Sequence, residues 1–271
     1  MGLEQKDLSR MLETAVDAAR LAGRRALKEM SKIRVSVKSP DQLVTQADGL
    51  CQKIIIERIK KTFPNDGFIG EEGCNGGLLK QKPKKRSQIW WVIDPIDGTT
   101  NYAKGMLLFV VAIAAVSEGR PVIGVIYEPA TDSMFTGVKD GEARLNGKRI
   151  NVSDEGFNNF SSTGTDSYFD GVVPKWVISL MKKSRSRTLG SSCLQLAYLA
   201  KGSLIGVVFV RPKIWDVAAG VVIAESAGAI VSDWQGNKLF PIDLDKYEGR
   251  EMPTLGANKK VYGGILKLLT T

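Results

Sequence analysis

From Lys6 to Met30, apolar residues recur at intervals of three and four: Leu8, Leu12, Ala15, Val16, Ala19, Ala22, Ala26 and Leu27. That period predicts one long amphipathic helix. Ile33, Val35 and Val37 then alternate with polar residues as in a short half-buried strand. A second helical pattern runs from Ala47 to Thr62 through Leu50, Ile54, Ile55 and Ile59, and stops at the turn residues Pro64, Asn65, Asp66 and Gly67. Phe68 and Ile69 read as a short strand. Ile89 to Ile93 is nearly all apolar, the mark of a strand covered on both faces.

Phe109–Val116, Pro121–Tyr127 and Ser133–Val138 read as an antiparallel meander, with turns at Asp140-Gly141 and Asn146-Gly147. Further on, helices are expected at Pro174–Lys183, Ser192–Ala200 and Asp216–Ala227, the last capped by Gly228. Leu204–Val210 is read as a strand, and Ala229–Ser232 and Lys238–Phe240 as strands around an Asp233–Asn237 turn. The mixture favours an α+β or layered α/β fold over an all-β sandwich. Two subdomains are expected, 1–150 and 151–271, meeting near the polar stretch from Ser153 to Asn159.

Composition narrows the chemistry. The 271 residues contain no histidine, which removes imidazole acid–base chemistry, phosphohistidine intermediates and histidine metal ligands together. Cys51, Cys74 and Cys193 share no metal or redox spacing and are read as reduced structural thiols. The apolar stretches fall short of the roughly 20 residues a membrane helix needs, and the N-terminus has no apolar signal core, so a cytoplasmic protein is expected. The net charge of +9 suits an anionic small substrate, nucleic acid or plain solubility. It is concentrated in two runs, Lys80, Lys82, Lys84, Lys85, Arg86 and Lys182, Lys183, Arg185, Arg187.

The central feature is the segment from Trp90 to Asn101, in which an apolar strand delivers Asp94 and a Pro-containing turn returns Asp97 three residues later. Paired carboxylates of this kind hold hard, oxygen-seeking cations, of which Mg²⁺ is the usual partner of phosphate. Backbone N–H groups after Asp97 could receive phosphate oxygens. A haloacid-dehalogenase reading also starts from an aspartate after a strand. Its two aspartates stand two apart rather than three, so the spacing here favours attack by a metal-activated water over a covalent aspartyl-phosphate.

Three motifs in order, Gly70-Glu71-Glu72, Asp94 to Asn101, and Trp215-Asp216-Val217-Ala218-Ala219-Gly220, resemble those of the inositol monophosphatase superfamily of magnesium-dependent phosphatases. The resemblance runs from Lys38 through Gly228. It implies an α+β fold in αβαβα layers, a homodimer, and two or three Mg²⁺ ions. By the same resemblance Glu71, Asp94 and the Ile96 carbonyl hold one ion, and Asp94, Asp97 and Asp216 a second. Asp48 and Thr99 orient or deprotonate the attacking water, and Glu72 assists, through a third ion or without one.

At the substrate end the resemblance implies contacts from Lys38, Asp97, Gly98, Thr99, Gly190, Ser191 and Ser192, with Arg187 a weaker candidate. Animal inositol monophosphatases carry an acidic residue seven positions before the C-terminal aspartate; here that place is Phe209. Arg211 nearby could attract a second phosphate. The substrate expected first is myo-inositol 1-phosphate, a small phosphorylated polyol. Fructose 1,6-bisphosphate, alone or as a second substrate, is favoured by Phe209 and Arg211. A 3′(2′),5′-bisphosphate nucleotidase and a nucleic-acid- or protein-binding regulatory relative are the remaining alternatives. Thr99-Thr100-Asn101 leans toward the inositol branch.

Overall fold

The computed structural model describes residues 3–39, 42–74, 77–84, 87–169 and 171–270, without the side chains of 38, 39 and 42. The first predicted helix is α1 (Gln5–Glu29), followed by a 3-10 turn at Met30–Lys32. β1 (Val35–Ser39) and β2 (Gln42–Thr45) pair antiparallel and lead into α2 (Gln46–Thr62). Ile33 lies before β1 rather than in it.

An eight-stranded sheet follows. β3 (Gly67–Gly70), next to one edge of it, runs parallel to β5 (Ile89–Asp97). β4 (Leu79–Gln81) closes one edge. On the other side the expected meander forms from β6 (Val110–Ser117), β7 (Arg120–Glu128) and β8 (Ser133–Val138), and it continues into β9 (Ala143–Leu145) and β10 (Lys148–Arg149). The turn residues Asp140, Asn146 and Gly147 have positive φ, as hairpin turns need. β5 runs past Asp94, where the apolar pattern stopped, because Pro95 and Ile96 continue the buried strand to Asp97.

The second sheet has five strands in the order β12, β11, β13, β15, β14. β11 (Ser162–Thr165), β12 (Arg185–Arg187) and β13 (Gly206–Phe209) are parallel, while β14 (Ile230–Ser232) and β15 (Thr254–Ala257) add antiparallel pairs. Lys238–Phe240, read as a strand, belongs to neither sheet: Phe240 and Ile242 are buried, so the apolar pattern there anchors a loop in the core. α4 (Lys175–Met181), α5 (Ser192–Ala200), α6 (Ile214–Ser226) and α7 (Tyr262–Thr270) complete the chain, after the short α3 (Thr99–Ala103).

Five layers result. Alternate residues of β5 and β6, among them Trp91, Ile93, Val111 and Ile113, meet α1 and α2 on one face of the first sheet. Trp90, Val92, Val110 and Ala112 meet α5 and α6 on the other. The far side of α5 and α6 packs on Val207 and Phe209 of the second sheet, and Trp176, Leu180, Val208 and Ile265 join α4 and α7 to its outer face. This is the layered αβαβα arrangement of an α+β protein. Among the described residues no helix is long and apolar enough to cross a membrane.

Candidate active site

In a regular strand, side chains three positions apart point to opposite faces. The β5–β6 register breaks this rule. Asp94 pairs with Ala112 and Asp97 with Val110, so three steps on β5 match two on β6. The extra residue, inserted where Pro95 cannot donate to the ladder, is a bulge that turns both aspartates to the side of Val110 and Ala112, facing α6. Gly98 follows with φ 97°, and a Cβ there would meet the Leu108 carbonyl at 2.9 Å, so only glycine makes this reversal into α3.

Asp216 completes the cluster. It lies in the first turn of α6, which begins at Ile214 rather than at Asp216, and its Oδ2 accepts the Lys213 N–H at 2.5 Å. Ligand atoms of Asp94, Asp97 and Asp216 lie within 4.8 Å of one another. Asp97 is fixed by Ser191 Oγ and the Cys193 N–H, each donating to its Oδ2 at 2.6 Å. Burial, then the charges of Glu71, Asp97, Asp216 and Asp48, raises Asp94 well above the usual carboxylate range. Asp216 is pushed up to about 7, by burial first and Asp97 next. Asp97 is raised by burial against the pull of its donors.

Such a cluster demands compensating charge. Its donors are all hard carboxylate oxygens, which fit a divalent cation of the Mg²⁺ kind. The adjacent Cys193 thiol is held protonated by burial and by these carboxylates, so it offers no soft ligand.

Asp48 sits at the third position of α2, where Oδ2 accepts from the backbone N–H and the hydroxyl of Thr45 at 2.8 and 2.6 Å. This is a capping box with a carboxylate to spare. Its Oδ1 lies 3.3 Å from Thr99 Oγ1, whose hydroxyl is shared with the Ile96 carbonyl at 2.9 Å. Burial raises Asp48 to about 6, with Glu72 adding to the rise. One helical turn on, Gln52 grips the backbone of Glu72: Nε2 donates to its carbonyl at 2.5 Å, and Oε1 accepts its N–H at 3.1 Å. Glu71 donates its own N–H to Ile93 at 3.3 Å, which sets it at the head of β5. α2 therefore places both Asp48 and the Glu71-Glu72 turn.

These groups surround a cleft of about 880 Å³, lined by Glu71, Asp97, Gly98, Thr99, Gly190, Ser191, Ser192, Arg211 and Asp216 among others. Ser191 is already committed, donating to Asp97 and accepting the Leu194 N–H as the cap of α5. Asn101 Nδ2 donates to the carbonyls of Leu108 and Leu189, both at 2.7 Å, and so ties the Gly190 segment to the metal loop. Arg187 is not brought to the cleft: it ends β12, exposed, and donates to the Ser186 carbonyl at 2.9 Å. Lys38 lies on β1 with its side chain outside the described residues. Phe209 is fully buried in the core, while Arg211 lines the cleft. Of the first basic run, Lys80 binds the Asp245 and Tyr247 carbonyls and Glu248, and Lys82 pairs with Asp245. Lys85 and Arg86 fall outside the described residues.

Gln52, Asp166 and Gln195 are cleft or supporting residues that the sequence did not single out. No local motif marks any of the three.

The fold and the site define a layered α+β protein built around a buried carboxylate cluster at the head of a strand. Residues 7–269 match the profile of the inositol monophosphatase family. The chain belongs to that family of phosphatases. It is 35% identical over 237 residues to the Nus factor SuhB of Vibrio cholerae, covering 83% of this chain and 86% of that protein. It is 35% identical over 239 residues to the inositol-1-monophosphatase of Mesorhizobium japonicum, covering 85% and 88%. The extragenic suppressor protein SuhB of Bartonella henselae superposes with a TM-score of 0.84 at 29% identity, over 97% of this chain and 99% of that one.

Proposed function

We propose that this chain is a Mg²⁺-dependent phosphomonoester hydrolase acting on myo-inositol 1-phosphate. The observation that carries the reading is the meeting of Asp94, Asp97 and Asp216 within 4.8 Å beside the Asp48–Thr99 pair. Glu71, Asp94 and the Ile96 carbonyl would hold one ion, Asp94, Asp97 and Asp216 a second, and Glu72 would assist. Mg²⁺ at these ligands would supply positive charge for the phosphate and acidify a water. Thr99 would orient that water and relay its proton to Asp48, whose Oδ1 lies 3.3 Å from the Thr99 hydroxyl. Gly98, Gly190 and Ser192 line the cleft in which the phosphate and its alcohol would sit. No histidine is required.

A dual activity on fructose 1,6-bisphosphate is the second reading, favoured by Arg211 in the cleft. Phosphate release from both esters, side by side in Mg²⁺ and in chelator, separates them. Chelator-sensitive release from the inositol ester is expected. Faster turnover of the bisphosphate would favour the second reading, and no release from either would sink both. Under the same proposal two copies assemble into a homodimer, and light scattering that returns the mass of one chain would refute that part.

A further inference from the structure

Three carboxylates that line the cleft, Asp166, Glu248 and Glu251, take no part in the metal cluster, and the two glutamates pair with Lys80 and Lys213. Thr165 of β11 pairs with Val208 of β13, so the next step of the parallel ladder sets Asp166 beside Phe209, on the side of the sheet that faces α5 and α6. Gly164, two residues earlier, confirms the side: a Cβ there would meet Gln195 Oε1 of α5 at 2.5 Å. Asp166 Oδ2 accepts the Val210 N–H at 2.7 Å, which holds the carboxylate rigid. Among the described residues its Oδ1 has no hydrogen-bond partner, and the side chain lines the cleft together with Asp216 and Gly190.

A second observation concerns the cleft's wall. Gln195 also lines the cleft, is 1% exposed, and keeps a buried Oε1 with no hydrogen-bond partner among the described residues. That oxygen faces Gly164 of β11, two residues before Asp166, so the Gln195 side chain backs this wall of the cleft. Arg211 acts electrostatically on Asp166 and draws its pKa down, against the burial that raises it to about 6, so the group is ionised above that pH.

We propose that Asp166 is the specificity-determining acceptor for hydroxyl groups on the substrate's alcohol, which selects polyol phosphates bearing neighbouring hydroxyls. The inference rests on the phosphatase reading above. An ionised carboxylate anchored through one oxygen accepts hydroxyl protons through the other. It is left unpaired, at a penalty, by an ester whose alcohol has none to give.

The test compares Asp166→Asn and Asp166→Ser with the wild type on myo-inositol 1-phosphate and p-nitrophenyl phosphate, at saturating Mg²⁺. Both variants keep an oxygen for the Val210 N–H. The ratio of kcat/KM for the polyol ester to that for the aryl ester is expected to fall about 10-fold or more, mostly through KM. A ratio that stays within about twofold of wild type in both variants overturns the proposal. Should the wild type hydrolyse neither ester, the phosphatase reading fails on its own, and calorimetric titration with myo-inositol 1-phosphate decides the subsite. Binding weakened about 10-fold in Asp166→Asn supports it, whereas equal affinity or no binding by the wild type overturns it.

Discussion

Under the proposed function Thr99 and Asp216 hold different jobs in one cleft, and single substitutions separate them. The Thr99 hydroxyl spans the 3.3 Å to Asp48 and the 2.9 Å to the Ile96 carbonyl, so it links a proton acceptor to the metal loop. Thr99→Ala is expected to lower kcat by about 100-fold or more with a smaller change in KM, and Thr99→Ser, which keeps the hydroxyl, to recover most of it. Equal losses in both variants would assign Thr99 to packing. Asp216→Asn removes one charge from a mutually repelling buried set. It is expected to raise the Mg²⁺ concentration needed for half-maximal phosphate release by about 10-fold or more, and in chelator to melt higher than the chelated wild type, because like charges are relieved. A lower melting temperature in chelator would contradict this. Asp94 and Asp97 were legible in the sequence because an apolar strand has no other use for two acidic residues at its end. Asp166, Gln52 and Gln195 were not, since each acquires its role from partners that no local spacing reveals: Val210, Glu72 and the cleft itself.

The elements follow the same division. α1, α2, β5 and the meander are written in apolar period, and all form close to their expected bounds. β11 escapes such reading because its sequence, Ser162-Thr163-Gly164-Thr165, has no apolar alternation; Thr163 is buried by bonding Ser184 Oγ at 2.7 Å. The seat of α6 is likewise silent in pattern terms. Gly124 of β7 pairs with Gly137 of β8, and the two leave a flat patch against which the α6 backbone rests: a Cβ on Gly124 would lie 2.4 Å from the Ala219 carbonyl, and one on Gly137 2.7 Å from the Ile223 Cα. Gly137→Val is therefore expected to cost at least about 1–3 kcal/mol in urea unfolding, as overpacking does. Because α6 carries Asp216, the surviving folded protein should also need more Mg²⁺ for activity. A stable variant with unchanged Mg²⁺ dependence would show that the helix can shift without disturbing the cluster.

At the scale of the whole molecule, a chain of net charge +9 folds around a pocket of concentrated negative charge, and under the proposed function its stability is expected to depend on both pH and metal. In the metal-free protein burial lifts Asp48 to about 6 and Asp216 to about 7, from a usual 3.8. The folded state then holds these protons more tightly than the unfolded state does. Their contribution is fully present below the unfolded value near 3.8 and is lost as pH rises through 6 and then 7. In chelator the melting temperature is therefore expected to fall from about pH 5 to about pH 8. Under the proposed function Mg²⁺ would bind the deprotonated carboxylates and only in the folded state, so it would have to displace protons at low pH and none at high pH. The rise in melting temperature on adding Mg²⁺ should accordingly grow over the same interval. Thermal scans with and without chelator at both ends of the range measure it. An Mg²⁺ effect of the same size at both ends would mean that the ion stabilises the protein somewhere other than among these aspartates.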